Sequence, residues 1–270
     1  MAESDKVFAG SIPDVYDACL VPLIFEAHAR DMARRVAALA PNDVLETAAG
    51  SGVVARMLAP LLKPGTRYVV SDLNPPMLAR AAARQPESTG LHWQPADALH
   101  LPFGDASFDV VCCQFGVMFF PDRAIGHAEA RRVLRPGGQY IFSTWDEIAR
   151  NGFAACVTEA LAEVFAEDPP RFMARVPHGY HDPDEIRADL RRAGFEDVEI
   201  ETIEGESRAP SARDVALAYC QGTPLRSEIE ARGPARLEEA TARAEALVAR
   251  RYGEGEVVAP IRGHVVTARR

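Results

Sequence analysis

Val44-Leu45-Glu46-Thr47-Ala48-Ala49-Gly50-Ser51-Gly52-Val53-Val54-Ala55-Arg56 decides how the rest of this chain is read. Residues 44–47 are an apolar strand carrying an acid near its end. A turn of five very small residues follows, Ala48 through Gly52, and then a helix-compatible run. Such residues leave the main chain bare, so a ligand can lie against backbone N–H groups where the helix begins. The segment reads as a cradle for a nucleotide-type cofactor. Gly50, Gly52 and Ala55 also satisfy the Gly-x-Gly-x-x-Gly/Ala spacing of dinucleotide-binding folds, and an ordinary glycine-rich turn would look the same. The surroundings must separate these readings.

Outward from this turn, apolar strands alternate with helical patterns. After residues 44–47 come strands at 67–71, 91–94, 108–113 and 139–144, the last set off by Pro136-Gly137-Gly138. The rhythm predicts an α/β fold with a parallel sheet covered by helices on both faces and ligands at the carboxyl ends of the strands. Residues 1–40 form an N-terminal helical cap, helical over 13–40 with a break near Pro22. The cofactor core is expected over 41–150. Residues 151–270 complete the sheet with strands at 195–203 and 263–268. They also insert helices at 152–166, 211–222 and 234–251 that would cover a substrate. Asp182-Pro183-Asp184-Glu185 supplies an N-cap, a proline at N1 and an acidic first turn for a helix ending near Gly194.

Composition narrows the partners. The 270 residues are 47% hydrophobic, enough for a substantial core, and carry a formal net charge of −9. Nucleic acid and anionic membrane both need a positive field, so neither is expected, and a small molecule is. No run approaches the about 18 to 20 apolar residues of a spanning helix, which places the chain in the cytoplasm. The five cysteines are odd in number and include no Cys-x-x-Cys, so neither a disulfide framework nor a zinc site is indicated and no metal is expected. Cys112 and Cys113 lie in an apolar strand and read as core. The Ala-rich late helices leave homodimerisation open.

Two acids follow the strands next to the turn. Asp72 follows the second strand, 20 residues after Gly52, where a carboxylate can accept hydrogen bonds from both ribose hydroxyls of an adenosine; it would equally cap the helix starting near Pro75. Asp97 follows the third strand, placed for an adenine amino group or for a simple loop cap.

More specific motifs come next: Asp97-Ala98 with Leu101-Pro102-Phe103, Ser107-Phe108-Asp109-Val110-Val111, Gln114-Phe115-Gly116-Val117-Met118-Phe119-Phe120-Pro121-Asp122, and Arg132-Val133-Leu134-Arg135-Pro136-Gly137-Gly138. In this order and spacing the chain resembles the class I S-adenosylmethionine-dependent methyltransferases, especially those that modify quinones and secondary metabolites. The likeness covers about residues 16–195. It implies a Rossmann-like seven-stranded sheet ordered 3-2-1-4-5-7-6 with an antiparallel last strand, and S-adenosylmethionine as cofactor. By the same resemblance Glu46, Gly50 and Gly52 hold the methionine end and Asp72 the ribose. Asp97 and Ala98 edge the adenine, Leu73 and Met77 pack beside it, and Gln114 and Phe115 lie along the cofactor. Ala48 stands where the family has its first loop glycine, and Glu46 where aspartate is more frequent.

Methyl transfer from a sulfonium asks the protein mainly for alignment. An oxygen or carbon acceptor also asks for a base, and histidine is the natural one. His178 and His181 flank Gly179-Tyr180 before the Asp182-capped helix and are the candidates; the alternative is surface or structural histidines. Tyr16 is a candidate lining residue in the N-terminal cap, while His92 and His127 read as structural. Asn74-Pro75-Pro76-Met77 follows the second strand and ends in Met, unlike the Asn-Pro-Pro-aromatic motif of nucleic-acid amino-methyltransferases. The expected function is methylation of a small molecule, with O- or C-methylation favoured. Two alternatives stand beside it. An NAD-dependent oxidoreductase would share the loop and Asp72, but lysines only at positions 6 and 63 exclude a Tyr-x-x-x-Lys pair. A non-catalytic protein of the same fold is the other, with Ala48 as its mark.

Overall fold

The computed structural model describes residues 12–85 and 91–270; the polar N-terminal stretch 1–10 lies outside them. The strands are β1 (Asp43–Glu46), β2 (Arg67–Asp72), β3 (Leu91–Pro95), β4 (Phe108–Gln114), β5 (Leu134–Trp145), β6 (Asp197–Ala209) and β7 (Val257–Arg269). They form one sheet in the order β3-β2-β1-β4-β5-β7-β6, as the resemblance implied, and the pairs β3–β2, β2–β1, β1–β4 and β4–β5 are parallel. The helices are α1 (Ile12–Val15), α2 (Glu26–Ala38), α3 (Val53–Leu58), α4 (Pro75–Arg84), α5 (Arg123–Val133), α6 (Gly152–Val164), α7 (Phe172–Arg175), α8 (Pro183–Arg192), α9 (Ala212–Gln221), α10 (Leu225–Ala231) and α11 (Arg236–Tyr252). None among the described residues is long and apolar enough to cross a membrane.

Two compact units divide the chain. The first comprises Glu26–Thr144, Tyr180–Thr202 and His264–Arg270. Its core is made by strands whose residues are buried on both faces, as a parallel sheet requires: Val44 and Leu45, Val110 to Cys113, and Tyr140 to Phe142. Helix α2 turns Ala29, Met32, Ala33 and Val36 inward at helical spacing and packs on α3 and β4. Helix α8 has the ends its sequence asks for. The Asp182 carboxylate accepts the Asp184 N–H at 2.9 Å, Arg191 and Arg192 sit in the last turn, and Gly194 leaves with φ +90°.

Among the described residues, the second unit comprises 12–25, Trp145–Gly179 and Ile203–Gly263. Helix α11 packs against α6 and α9, burying Ala240, Ala244, Leu247 and Val248. Small residues at this spacing let the helices approach closely.

Three local expectations change. The N-terminal helix does not break at Pro22 but widens into a π-helix over Tyr16–Phe25, accommodating a residue that lacks an N–H and crowds the preceding turn. Pro136-Gly137-Gly138 does not precede the fifth strand but lies inside it. Phe108 pairs with Leu134 and Val110 with Gln139, so two steps along β4 face five along β5, and the surplus forms a bulge with Gly137 at φ +80°. Finally, β6 and β7 are longer than their alternating cores, and Phe195 is a buried residue before β6 whose ring stacks on Tyr140.

Candidate functional site

The small-residue turn hangs between two strands. Thr47 N–H donates to the Cys112 carbonyl on β4 at 2.9 Å, and Ala49 N–H to the Ser71 carbonyl on β2 at 3.0 Å. The Gly50 N–H reaches the Asp72 carboxylate at 2.8 Å, and Gly52 N–H closes the turn on the Ala49 carbonyl at 2.9 Å. Ala48, Gly50 and Gly52 all take left-handed backbone, with φ of 52°, 56° and 76°. Gly52 is also where the loop touches α4: a Cβ there would fall 2.8 Å from the Ala81 Cβ. Among the described residues the Ala48 and Ser51 N–H groups and the buried Ser51 hydroxyl have no hydrogen-bond partner. Unpaired donors beside a buried orphan hydroxyl suit a polar ligand, because such groups are costly to leave unmatched.

Both carboxyls at this loop are buried. Asp72 ends β2 at 6% exposure and accepts N–H bonds from Gly50 and, at 2.7 Å, from Asn74. It therefore supports the start of α4 and ties down the loop as well. Burial pushes its pKa up, against the pull of those donors. Glu46 ends β1 and takes a hydrogen bond from the Tyr68 hydroxyl. Burial pushes its pKa up to about 8, again against its hydrogen bond.

The neighbouring strand ends carry the other candidates. Met77 on α4 is buried and Leu73 is 49% exposed. Asp97, two residues past β3, accepts the Leu99 N–H at 2.9 Å, and Ala98 beside it is half-buried. Arg132 on α5 pins this loop through the Leu101 and Phe103 carbonyls, at 2.9 and 2.8 Å, while pairing with Glu129 and Asp105. Gln114 ends β4 in register with Ser143. Phe115 follows with φ +50°, its N–H received by the Ser143 carbonyl and hydroxyl at 3.2 and 3.1 Å. Left-handed backbone is uncommon at a bulky residue such as phenylalanine. The His28 ring meets Phe115 edge-on at 5.1 Å, and burial pushes its pKa down to about 4. Sequence reasoning passed over His28, which sits in an otherwise unremarked Ala- and Arg-rich helix.

In the second unit, Tyr16 and His178 join one aromatic group. Tyr16 lies 5.4 Å from Phe25, Phe25 lies 6.0 Å from Trp145, and Trp145 lies 6.2 Å from His178. His178 is buried, its Nδ1 2.8 Å from the Asp146 carbonyl. Trp145 was also missed, although a tryptophan closing a strand at its carboxyl end is a readable signal. His181 falls in the other unit, half-buried. His127 is fully buried, with Nε2 3.3 Å from the Tyr180 hydroxyl and its ring stacked on Phe142.

A family profile described as a methyltransferase domain matches residues 45–142. The chain is 31% identical to the demethylmenaquinone methyltransferase of Corynebacterium urealyticum over 186 residues, covering 65% of this chain and 77% of that protein. It is 41% identical over 103 residues to an uncharacterised protein of Mycobacterium tuberculosis, covering 38% of this chain. The matched part spans only 36% of that relative's length. A solved protein of Bacillus halodurans superposes with a TM-score of 0.60 at 21% identity, over 89% of this chain and 97% of its own, a likeness of fold.

Proposed function

We propose that this chain, which belongs to the class I S-adenosylmethionine-dependent methyltransferases, transfers a methyl group to a small aromatic acceptor of the hydroquinone or phenol kind. The observation that carries the reading is the clamp between Gly50 N–H and Asp72, set at the ends of β1 and β2 beside a turn with unpaired donors. When bound, S-adenosylmethionine supplies an activated methyl group on a sulfonium. Glu46, the Ala48 and Ser51 N–H groups and the bare backbone of Gly50 and Gly52 would hold its methionine end, and Asp72 its ribose. Asp97, Ala98, Leu73 and Met77 would border the adenine, with Gln114 and Phe115 alongside.

Two observations support an aromatic acceptor. The Tyr16–Phe25–Trp145–His178 group is suited to a flat apolar ring, and a relative is named for a demethylated quinone. This favours C- or O-methylation. His178 is the candidate base: the 2.8 Å contact of its Nδ1 with the Asp146 carbonyl fixes the orientation of the ring.

The alternatives gain no support. The profile that matches residues 45–142 is that of a methyltransferase domain, and Ala48 retains the left-handed backbone of the loop despite its methyl group. Calorimetric titration with S-adenosylmethionine, S-adenosylhomocysteine and NADH tests the reading, with Asp72→Ala as control. Micromolar adenosyl binding that is lost in the variant, followed by methylation of 1,4-dihydroxynaphthalene seen by mass spectrometry, is the expected result. Preference for NADH, or no adenosyl binding, overturns it.

A further inference from the structure

Glu46, which the resemblance sets at the cofactor's methionine end, is paired with Tyr68. Glu46 is 2% exposed, in register with Val70 on β2 and Cys112 on β4. Among the described residues its carboxyl takes a hydrogen bond from the Tyr68 hydroxyl and pairs with no cation. The titratable and charged groups around it are Tyr68 and Asp72 on β2, Cys112 and Cys113 on β4, and Arg56 on α3. Arg56 donates at 2.6 Å to the Ser51 carbonyl, and its charge favours ionised Glu46, against the larger effect of burial. An ionised Glu46 would thus be a buried anion close to a second buried carboxyl, with a phenol as its hydrogen-bond donor. Without a ligand the neutral acid is favoured.

We propose that Glu46 stands as a neutral acid in the free protein, that seating a cationic cofactor on the adjoining loop drives its proton to solvent, and that Tyr68 is the positioning residue that holds the resulting carboxylate. This rests on the cofactor reading above. One proton leaves the carboxyl for buffer with each cofactor bound, so affinity rises with pH until Glu46 ionises unaided. The free carboxyl titrates at about 8, so affinity should climb up to ~tenfold per pH unit below that point and level off above it. The Tyr68 hydroxyl favours the ionised form, so its removal should push the inflection to higher pH.

The test is calorimetry of the full chain with S-adenosylmethionine and S-adenosylhomocysteine, in buffers of different ionisation enthalpy from about pH 6 to about pH 9, which counts protons released. Protons contributed by Asp72 and by the ligand's own amine are common to wild type and Glu46→Gln and cancel in the difference. Wild type should release more protons than Glu46→Gln below pH ~8 and converge with it above. Tyr68→Phe should move the inflection upward, whereas a purely structural tyrosine would weaken binding equally at every pH. Intact binding with equal proton counts in wild type and Glu46→Gln overturns the proposal and leaves the cofactor reading standing. No binding of either ligand to folded wild type overturns both. If Glu46→Gln does not fold, or folds and does not bind, the inflection in Tyr68→Phe decides.

Discussion

The methyl group of Ala48 fills the space that a side chain on Gly116 would need. A Cβ built on Gly116 falls 2.5 Å from the Ala48 Cβ and 2.7 Å from Cys113 Sγ. Ala48 holds φ at 52°, a conformation that favours glycine, and the bare backbone at 116 makes room for its methyl group.

This pairing sets a double-variant test. Gly116 has φ −102°, open to any residue, so Gly116→Ala should cost about 1–3 kcal/mol through crowding alone. Ala48→Gly relieves left-handed backbone at a non-glycine residue and should stabilise by about 1 kcal/mol. The two together should lose less than the sum of the single effects, because the Ala48 part of the clash needs both side chains while the contact with Cys113 Sγ remains. Urea unfolding of the four proteins measures the coupling, and strict additivity would show that the two positions are independent.

Gly52→Ala should be more damaging. It places a Cβ 2.8 Å from the Ala81 Cβ at a position with φ +76°, combining strain with a clash between loop and α4. Stability should drop by more than about 1 kcal/mol and adenosyl-ligand binding should disappear in calorimetry. Retention of both would mean the loop tolerates a different path.

Arg132 holds the segment after Asp97 through carbonyls and carboxylates that a planar fork can reach together. Lysine presents a single point charge and cannot span these acceptors. Arg132→Lys should cost about 1–3 kcal/mol and speed proteolysis within residues 97–105. Unchanged cleavage would assign the loop's order to other contacts.

Acid sensitivity should pass through His127. Burial, reinforced by Arg123, pushes its pKa down to about 3 from 6.5, so the unfolded chain takes up a proton below pH 6.5 that the fold refuses. The stability this neutral imidazole allows is therefore present above pH 6.5 and lost as pH falls towards 3. Glu46 works in the opposite sense: its raised pKa stabilises the fold below about 4.5, and that gain fades as pH rises through 8. His127→Phe isolates the first effect. Between about pH 7 and about pH 5 the variant should lose about 2 kcal/mol less than wild type in urea unfolding. Parallel losses would mean that His127 takes up its proton in the fold as readily as in the unfolded chain.

Much of this was legible because it is local. Strand β1, the small-residue turn and Asp72 are consequences of residue type and short spacing. The capped helix α8 was readable for the same reason, from Asp182 to Gly194. Local reading failed where the backbone had an option. Pro22 could end a helix or widen it, and Pro136-Gly137-Gly138 could end a loop or bulge a strand; packing against neighbours chose the second each time. His178 and His181 are near neighbours in the chain, yet one is bound into the Trp145 aromatic group and the other belongs to a different unit.

The sequence by itself determined the alternation of strands and helices, the small-residue turn and the family resemblance, since each depends on residues close together in the chain. Only the tertiary structure decided that Gly116 accommodates Ala48, that Tyr68 is the partner of Glu46, and that Tyr16 and His178 share one aromatic group. Those relationships are set by strand register and side-chain packing between distant segments. A contact of that kind depends on where two backbones meet in space, and nothing in the local pattern of either segment records it.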